Sequence, residues 1–122
     1  MPKRILIVDD EPAIVLLLES RLKANGYQVS SAADGMTALE KAKKEKPDLL
    51  VLDLMLPKMD GYKVCAILKK DVRYAQIPIV MFTARAQEED RLMGEEVGAN
   101  AYITKPFDPQ VLLGKIKELL GA

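Results

Sequence analysis

The chain of 122 residues has the length of one domain, and its 49% hydrophobic and 30% charged residues are an ordinary globular composition. Its 18 basic and 18 acidic residues cancel, which gives no support to a nucleic-acid-binding or membrane-surface role that depends on bulk charge. The absence of histidine excludes His-based triads and thiolate–imidazole zinc sites, while the single Cys65 excludes an internal disulfide framework and fits a reducing cytoplasm.

Alternating short apolar runs and longer amphipathic stretches predict five strands and five helices. In chain order these are strand 5–8, a helix from Pro12 to the Asn25-Gly26 stop, strand 27–31, a helix from Asp34-Gly35 to just before Pro47, strand 49–52, helix 62–70, strand 79–82, helix 87–97, strand 101–104 and helix 109–120. In helix 62–70 the spacing predicts that Val64, Ile67 and Leu68 face inward. The strict alternation and the continuous apolar strands indicate one α/β domain, residues 1–122, with a parallel sheet covered on both faces.

No apolar run approaches the roughly 20 residues of a membrane-spanning helix. The basic start is followed by a short apolar run that ends at an acidic pair, which is not the pattern of a signal peptide. We therefore expect a cytoplasmic protein without a membrane partner.

Polar residues follow four of the predicted strands at the point where each strand ends. Asp9 and Asp10 follow the first strand, Asp53 the third, Thr83 the fourth and Lys105 the fifth. The carboxyl ends of parallel strands share one edge, where open α/β sheets bind ligands, so these side chains should converge. Three acids repel one another and one lysine cannot neutralise them, whereas Mg²⁺ takes oxygen ligands together with a substrate phosphate. The pattern indicates phosphoryl transfer onto a carboxylate.

At these residues the sequence resembles the receiver domain of two-component response regulators, including the chemotaxis regulators. The motifs that carry the resemblance are "VDDE" at 8–11, "VLDLMLPKMDGY" at 51–62, "FTA" at 82–84 and "YITKPF" at 102–107. Each motif alone is weak, but the four together at their spacings are very specific, and the resemblance spans the whole chain. It implies a doubly wound, flavodoxin-like (βα)5 fold with a five-stranded parallel sheet of order 2-1-3-4-5.

The resemblance also implies roles for the residues of the crevice. Asp53 would accept the phosphoryl group from a phosphohistidine on a sensor histidine kinase or phosphotransfer protein. Asp10 and Asp53 would bind Mg²⁺ by their side chains and Met55 by its backbone carbonyl, while Asp9 would act mainly through a metal-bound water. Lys105 would pair with the phosphoryl oxygens. The domain would catalyse only its own phosphorylation and dephosphorylation, and is therefore not expected to be an enzyme in the ordinary sense.

Further residues around the phosphoryl group follow from the same resemblance. Thr83 would donate a hydrogen bond to a phosphoryl oxygen, with Tyr102 swinging inward as the aromatic switch, and Ala84 is small enough to lie beside the incoming group. The bond between Lys105 and Pro106 is expected to be cis, which gives the sharp turn that points the lysine into the crevice.

Two flanking positions bear on the lifetime of the aspartyl phosphate. Met55 and Arg85, two residues past Asp53 and Thr83, flank the phosphoryl group in the family and tune hydrolysis. Neither an apolar nor a long cationic side chain readily orients an attacking water, so we expect a long-lived phosphoryl group.

Several residues also have ordinary structural explanations. Asp10 could cap the helix that begins near Pro12. Thr83 could be an ordinary β-branched strand residue, Lys105 a solvated surface lysine and Tyr102 a core residue. Asp60-Gly61 could form a turn and a helix start, Cys65 could be an inert helix residue, and 87–91 could be a solvated helix face.

Three other functions compete with the receiver hypothesis. A Mg²⁺-dependent phosphohydrolase that forms an aspartyl phosphate usually has a second Asp two residues after its nucleophile, where this chain has Met55. A nucleotide- or flavin-binding module would need a glycine- or hydroxyl-rich phosphate loop after the first strand, where this chain has Asp-Asp-Glu-Pro. A receiver-like scaffold that is never phosphorylated would not need the complete site.

The output surface is expected on helix 87–97, strand 101–104 and helix 109–120, which would control a partner protein or a fused output domain. Members fused to winged-helix DNA-binding domains often carry two acids just before the switch tyrosine, where they join a dimer interface. Here these positions are Asn100 and Ala101, so we expect a monomer or a weak dimer. The balanced charge gives no reason to expect direct contact of this chain with nucleic acid. The chain could be a free-standing regulator or a piece of a longer protein.

Overall fold

Five strands and four helices lie within the residues that the computed structural model describes, which are 2–83, 92–93, 96–106 and 108–121. In chain order they are β1 Arg4–Val8, α1 Pro12–Ala24, β2 Gln28–Ala32, α2 Gly35–Glu45, β3 Leu49–Leu52, α3 Gly61–Lys70, β4 Ile79–Thr83, β5 Ala101–Thr104 and α4 Pro109–Leu120. The helix predicted at 87–97 lies largely outside the described residues. None of the described helices is long and apolar enough to cross a membrane.

The strands form one parallel sheet in the order β2-β1-β3-β4-β5, which confirms the predicted doubly wound α/β fold. The pairing register determines which residues leave the sheet together. Val8 lies opposite Leu52, so the residues that follow them, Asp9 and Asp53, leave adjacent strands at the same level. This register brings the two acids together because neighbouring strands lie only about 5 Å apart.

Apolar side chains cover both faces of the sheet, as the continuous apolar strands predict. Alternate residues of each strand point to opposite faces. Ile5, Ile7 and Val80 pack on one face with residues of α1 and α4, while Leu6 and Leu50 pack on the other with residues of α2 and α3. Apolar packing on both faces of the sheet therefore fixes β1 and β3. It also fixes the direction of the chain at the carboxyl ends of these two strands.

Two local predictions were wrong. Tyr27 is not the first residue of β2, because its backbone N–H donates to the carbonyl of Leu22 and closes the end of α1 instead of joining the sheet. Ile67 does not face inward; it is 38% exposed. The inward face of α3 is formed by Val64, Cys65 and Leu68, and Ile67 lies at the margin of this stripe.

Candidate metal centre

The backbone holds two acids in place at the carboxyl ends of β1 and β3. Asp9 and Asp53 are 1% and 4% exposed, and each follows a strand that is fully buried at its last residue. The N–H of Asp9 donates to the carbonyl of Ala32, and the N–H of Asp53 donates to the carbonyl of Val8. Backbone hydrogen bonding between neighbouring strands therefore continues one residue past the ends of β1 and β3. It fixes the backbone of the two residues that carry the carboxylates.

Three carboxylates cluster at this edge. Asp9, Asp10 and Asp53 each offer an oxygen atom, and these three atoms lie within 4.8 Å of one another. One oxygen of Asp9 accepts the backbone N–H of Glu11 at 2.9 Å, and one oxygen of Asp53 accepts that of Met55 at 3.2 Å. The two buried acids are thus oriented by the first turn of their own loops, while Asp10 is exposed.

Lys105 reaches this cluster from the end of β5, and its peptide bond to Pro106 is cis. Its Nζ atom donates to Asp9 Oδ2 at 2.8 Å, to Asp53 Oδ2 at 3.3 Å and to Glu11 Oε1 at 3.4 Å, and its side chain is only 12% exposed. Burial lowers the pKa of the ammonium, but the hydrogen bond to Asp9 and the charges of Asp53 and Asp9 outweigh it and raise the pKa. Lys105 is therefore a fixed positive charge.

One lysine does not neutralise the acids. Burial raises the pKa of Asp9, and the charge of Asp53 adds to this effect, although Lys105 and the N–H of Glu11 both favour the ionised form. A divalent cation would remove this imbalance, and a set of carboxylate oxygens suits Mg²⁺. The backbone carbonyl of Met55 accepts no backbone hydrogen bond from the described residues, so it is available as a further oxygen ligand. The donor set fits a magnesium ion.

The start of α1 excludes the capping explanation for Asp10. The N-cap position is Glu11, and no side-chain hydrogen bond caps the helix. The Asp10 carboxylate therefore does not cap α1.

The loop after β3 closes tightly around the buried acid. Gly61 donates its N–H to the carbonyl of Leu54, and a Cβ atom at Gly61 would lie 2.3 Å from the carbonyl oxygen of Asp53. Asp60 caps α3 by accepting the N–H of Lys63 at 3.0 Å. The predicted turn and helix start at Asp60-Gly61 is confirmed.

The other predicted site residues lie on β4, on β5, in the loop after β3, or outside the described residues. Thr83 is the last residue of β4 and lies opposite Thr104. Tyr102, in β5, lies opposite Met81 of β4 and is half-buried against the core that includes α2 and α3. The Met55 side chain is 59% exposed. Ala84 and Arg85 lie outside the described residues.

Two neighbours of Lys105 were missed by the sequence interpretation. Glu11 directly follows the acid pair, and its adjacency to Asp10 was the available signal. The ring centroid of Phe82 lies 4.7 Å from Lys105 Nζ, and the pairing of β4 with β5 was the available signal for this contact.

Known proteins share this architecture and much of the sequence. The family model for the response regulator receiver domain matches residues 5–117. The alkaline phosphatase synthesis transcriptional regulatory protein PhoP of Bacillus subtilis (strain 168) is 49% identical over 120 residues, which are 98% of this chain and 49% of that protein. This chain therefore spans about half the length of that relative.

Solved structures agree with the family model. A response regulator receiver domain protein (CheY-like) from Methanospirillum hungatei JF-1 matches with a TM-score of 0.93 and 37% identity over 99% of this chain and 95% of that one. The receiver domain of sensor histidine kinase PA1611 from Pseudomonas aeruginosa PAO1, with a magnesium ion coordinated in its active site cleft, matches with a TM-score of 0.91 and 30% identity over 100% of both chains.

Proposed function

The chain belongs to the response regulator receiver domain family, and we propose that it accepts a phosphoryl group on Asp53 from a phosphohistidine of a sensor histidine kinase or phosphotransfer protein. A receiver of this family is a phosphorylation-controlled signalling domain. The observation that supports Asp53 as the acceptor is its position: it is nearly buried, one oxygen accepts the N–H of Met55, and the other contacts Lys105. We propose that residues 1–122 form one such domain, acting in the cytoplasm, where a free thiol at Cys65 is stable.

The proposed transfer forms one bond and breaks one. An oxygen of Asp53 bonds to phosphorus while the phosphorus–nitrogen bond of the phosphohistidine breaks, and the imidazole nitrogen keeps the electron pair. The N–H of Met55 orients the attacking carboxylate. Lys105 exchanges its contact with Asp53 for one with a phosphoryl oxygen, which keeps a positive charge beside the group as negative charge develops.

Magnesium would be held by Asp10 and Asp53 through their side chains, by the carbonyl of Met55, and by Asp9 mainly through water. When bound, it supplies the positive charge that lets a phosphoryl group approach a cluster of acids. The clustering of three carboxylate oxygens within 4.8 Å supports this assignment.

The signal would be a change in affinity for a partner. Phosphorylation adds up to about two negative charges next to Lys105. Thr83 would move toward the phosphoryl group and Tyr102 would turn inward, remodelling the surface of β5, α4 and the segment 87–97. The partner is a downstream protein or a fused output domain that binds one state better than the other, and this chain itself makes no direct contact with nucleic acid or membrane.

Three site features disfavour the three rival functions. A phosphohydrolase would use an acid where this chain has Met55, whose side chain is largely exposed and apolar. A nucleotide or flavin module would present hydrogen-bond donors after β1, whereas Asp9 and Asp10 would repel a phosphate. A scaffold that is never phosphorylated has no need of a lysine bound to its acceptor carboxylate.

Labelling with a small phosphodonor tests the proposal. Incubation with acetyl phosphate and Mg²⁺ should add one phosphoryl group, located on Asp53 by mass spectrometry after borohydride trapping. Asp53→Asn should abolish the label. Asp71→Asn, an acid that pairs with Arg73 in the loop after α3, is the matched control and should label normally. Labelling that persists in Asp53→Asn would overturn the assignment.

Oligomeric state is a separate part of the proposal. Asn100 directs its side-chain oxygen to the N–H of Ile79 at 2.9 Å, and its own N–H donates to the carbonyl of Ile79. The side chain thus extends the pairing of β4 with β5, and Ala101 offers no charge. We therefore propose a monomer or a weak dimer, and a tight dimer on sedimentation of the beryllofluoride-loaded protein would contradict this.

The lifetime of the phosphoryl group is a further part of the proposal. Met55 and Arg85 offer no base to orient an attacking water, so the aspartyl phosphate should be long-lived for its class. Decay of the labelled protein within seconds would contradict this expectation.

A further inference from the structure

The ammonium of Lys105 lies against an aromatic ring as well as against carboxylates. Its Nζ atom is 4.7 Å from the centroid of the Phe82 ring, within the range at which a cation is attracted by the negative face of the ring. The Lys105 side chain is 12% exposed. The contact between Arg73 and Tyr74, at 5.1 Å, involves an arginine that is 65% exposed. Because desolvation strengthens the attraction, the Lys105 contact should be the stronger of the two.

The pairing of β4 with β5 explains why the ring and the ammonium meet. Phe82 lies opposite Ile103, and Lys105 is two residues further along the chain. Residues two apart in an extended chain share a face, so Lys105 leaves the strand on the face that carries Phe82. Phe82 is 0% exposed and packs in the core with residues of α1 and α4, which makes its ring a fixed platform.

We propose that Phe82 is a positioning residue for Lys105, holding the ammonium at the site while its hydrogen-bond partners change. The proposal rests on the proposed function, because it takes Lys105 as the cation that binds the phosphoryl group. An ammonium has three N–H donors, and at rest these are directed to Asp9, Asp53 and Glu11. The contact to Asp53 must be given up when that residue is phosphorylated.

The ring suits this exchange because its attraction does not depend on a donated hydrogen bond to one acceptor. It therefore persists while each N–H changes partner. A leucine at position 82 would fill much of the same core volume without the negative face. Loss of the ring should leave Lys105 charged but less confined, so that the lysine spends less time where the phosphoryl group arrives.

The first experiment tests the contact in metal-free, unphosphorylated protein, so its outcome does not depend on the proposed function. The ring current of Phe82 should shift the Lys105 Hε and ammonium protons upfield in NMR spectra. Phe82→Leu should abolish this shift. Val80→Ala, which removes core volume from the same strand and the same cluster, should leave it in place. Lys105 shifts that are unchanged in Phe82→Leu would overturn the proposal.

The second experiment tests whether the contact affects transfer. Replacing Phe82 by phenylalanines with one, two and three ring fluorines weakens the negative face with little change of shape, so the labelling rate with acetyl phosphate should fall stepwise. Phe82→Leu should lower it about fivefold, as expected for loss of a partly desolvated cation–π contact. In the Lys105→Met background, Phe82→Leu should have no further effect.

Equal labelling rates across the fluorinated series would contradict a positioning role for Phe82. So would an equal loss of labelling rate on Phe82→Leu in the Lys105→Met background. A loss in Val80→Ala as large as that in Phe82→Leu would also contradict it, since the effect would then follow core packing. Failure of the proposed function would be seen differently: labelling would persist in Asp53→Asn, while the NMR shifts of Lys105 would remain as expected.

Discussion

Lys105 Nζ lies closer to Asp9 Oδ2, at 2.8 Å, than to Asp53 Oδ2, at 3.3 Å. The lysine therefore joins β5 to the loop after β1, although β3 and β4 lie between these strands in the sheet. The shorter of these two contacts is made to Asp9, and the longer one to Asp53, the proposed acceptor. Because Asp9 would also serve the proposed magnesium site, a bound ion would weaken the hold of Asp9 on the ammonium and so couple cation binding to the position of Lys105.

The acid pair after β1 provides a test of the metal site with a matched control. Asp10 and Glu11 are adjacent and both exposed, but only Asp10 belongs to the carboxylate cluster. Asp10→Asn should lower Mg²⁺ affinity at least about tenfold, since it removes a charged ligand. Glu11→Gln should change it no more than about twofold. Isothermal titration calorimetry measures both affinities.

The metal-free stability of these variants completes the test. Asp10→Asn removes a charge that the carboxylates of Asp9 and Asp53 repel, so in the absence of metal the variant should unfold with at least the free energy of the parent chain. Equal Mg²⁺ affinities in Asp10→Asn and Glu11→Gln would show that the ion does not bind at this cluster.

Two glycines should respond to alanine in opposite directions. A Cβ at Gly61 would lie 2.3 Å from the backbone oxygen of Asp53, and no flexible side chain is available to yield. Gly61→Ala should therefore destabilise the protein by about 2 kcal/mol or more and disturb the loop after β3, which begins at Asp53. A Cβ added at Gly114, inside α4, would meet no described atom within 4 Å, so Gly114→Ala should stabilise by roughly 0.5–1 kcal/mol. Urea unfolding measures both, and a stabilising Gly61→Ala would contradict the packing described around Asp53.

Cys65 should be chemically inert in the folded protein. Burial raises the pKa of its thiol to about 11, and its Sγ atom lies 3.6 Å from the carbonyl oxygen of Val97. Because the thiolate is the reactive form, alkylation by iodoacetamide at pH 8 should be at least about a hundredfold slower in native protein than in urea. Intact-mass kinetics measures this ratio, and comparable rates in the two conditions would show that α3 opens readily.

The fold was largely predictable because its signals are local. The apolar runs at 5–8 and 49–52 have the length of strands buried on both faces, and the acids that end them belong at the strand ends whatever the detailed packing. The rule that parallel strands share one carboxyl edge then brings Asp9, Asp53 and Lys105 together without any knowledge of side-chain conformations.

Contacts that depend on side-chain direction were not predictable in the same way. The approach of Lys105 to Glu11 and Phe82 depends on the path of the chain after β5, which no spacing in the sequence specifies. Ile67 has the helical spacing of a core residue, but the width of the buried stripe on α3 depends on the elements packed against it. Tyr27 has strand propensity, yet its N–H is used to close α1.

The ion pair in the loop after α3 gives a pH-dependent signal remote from the site. The side chain of Arg73 donates hydrogen bonds to Asp71, its backbone N–H adds another, and together they lower the pKa of Asp71 from 3.8 to about 2. Since the folded value is the lower one, this pair stabilises the fold above pH 3.8 and loses its contribution as the pH falls through about 2. NMR titration should show an Asp71 midpoint near 2 that moves toward 3.8 in Arg73→Gln. Asp34, whose pKa is lowered chiefly by the N–H of Thr37, should not move, and an unchanged Asp71 midpoint in the variant would contradict this pairing.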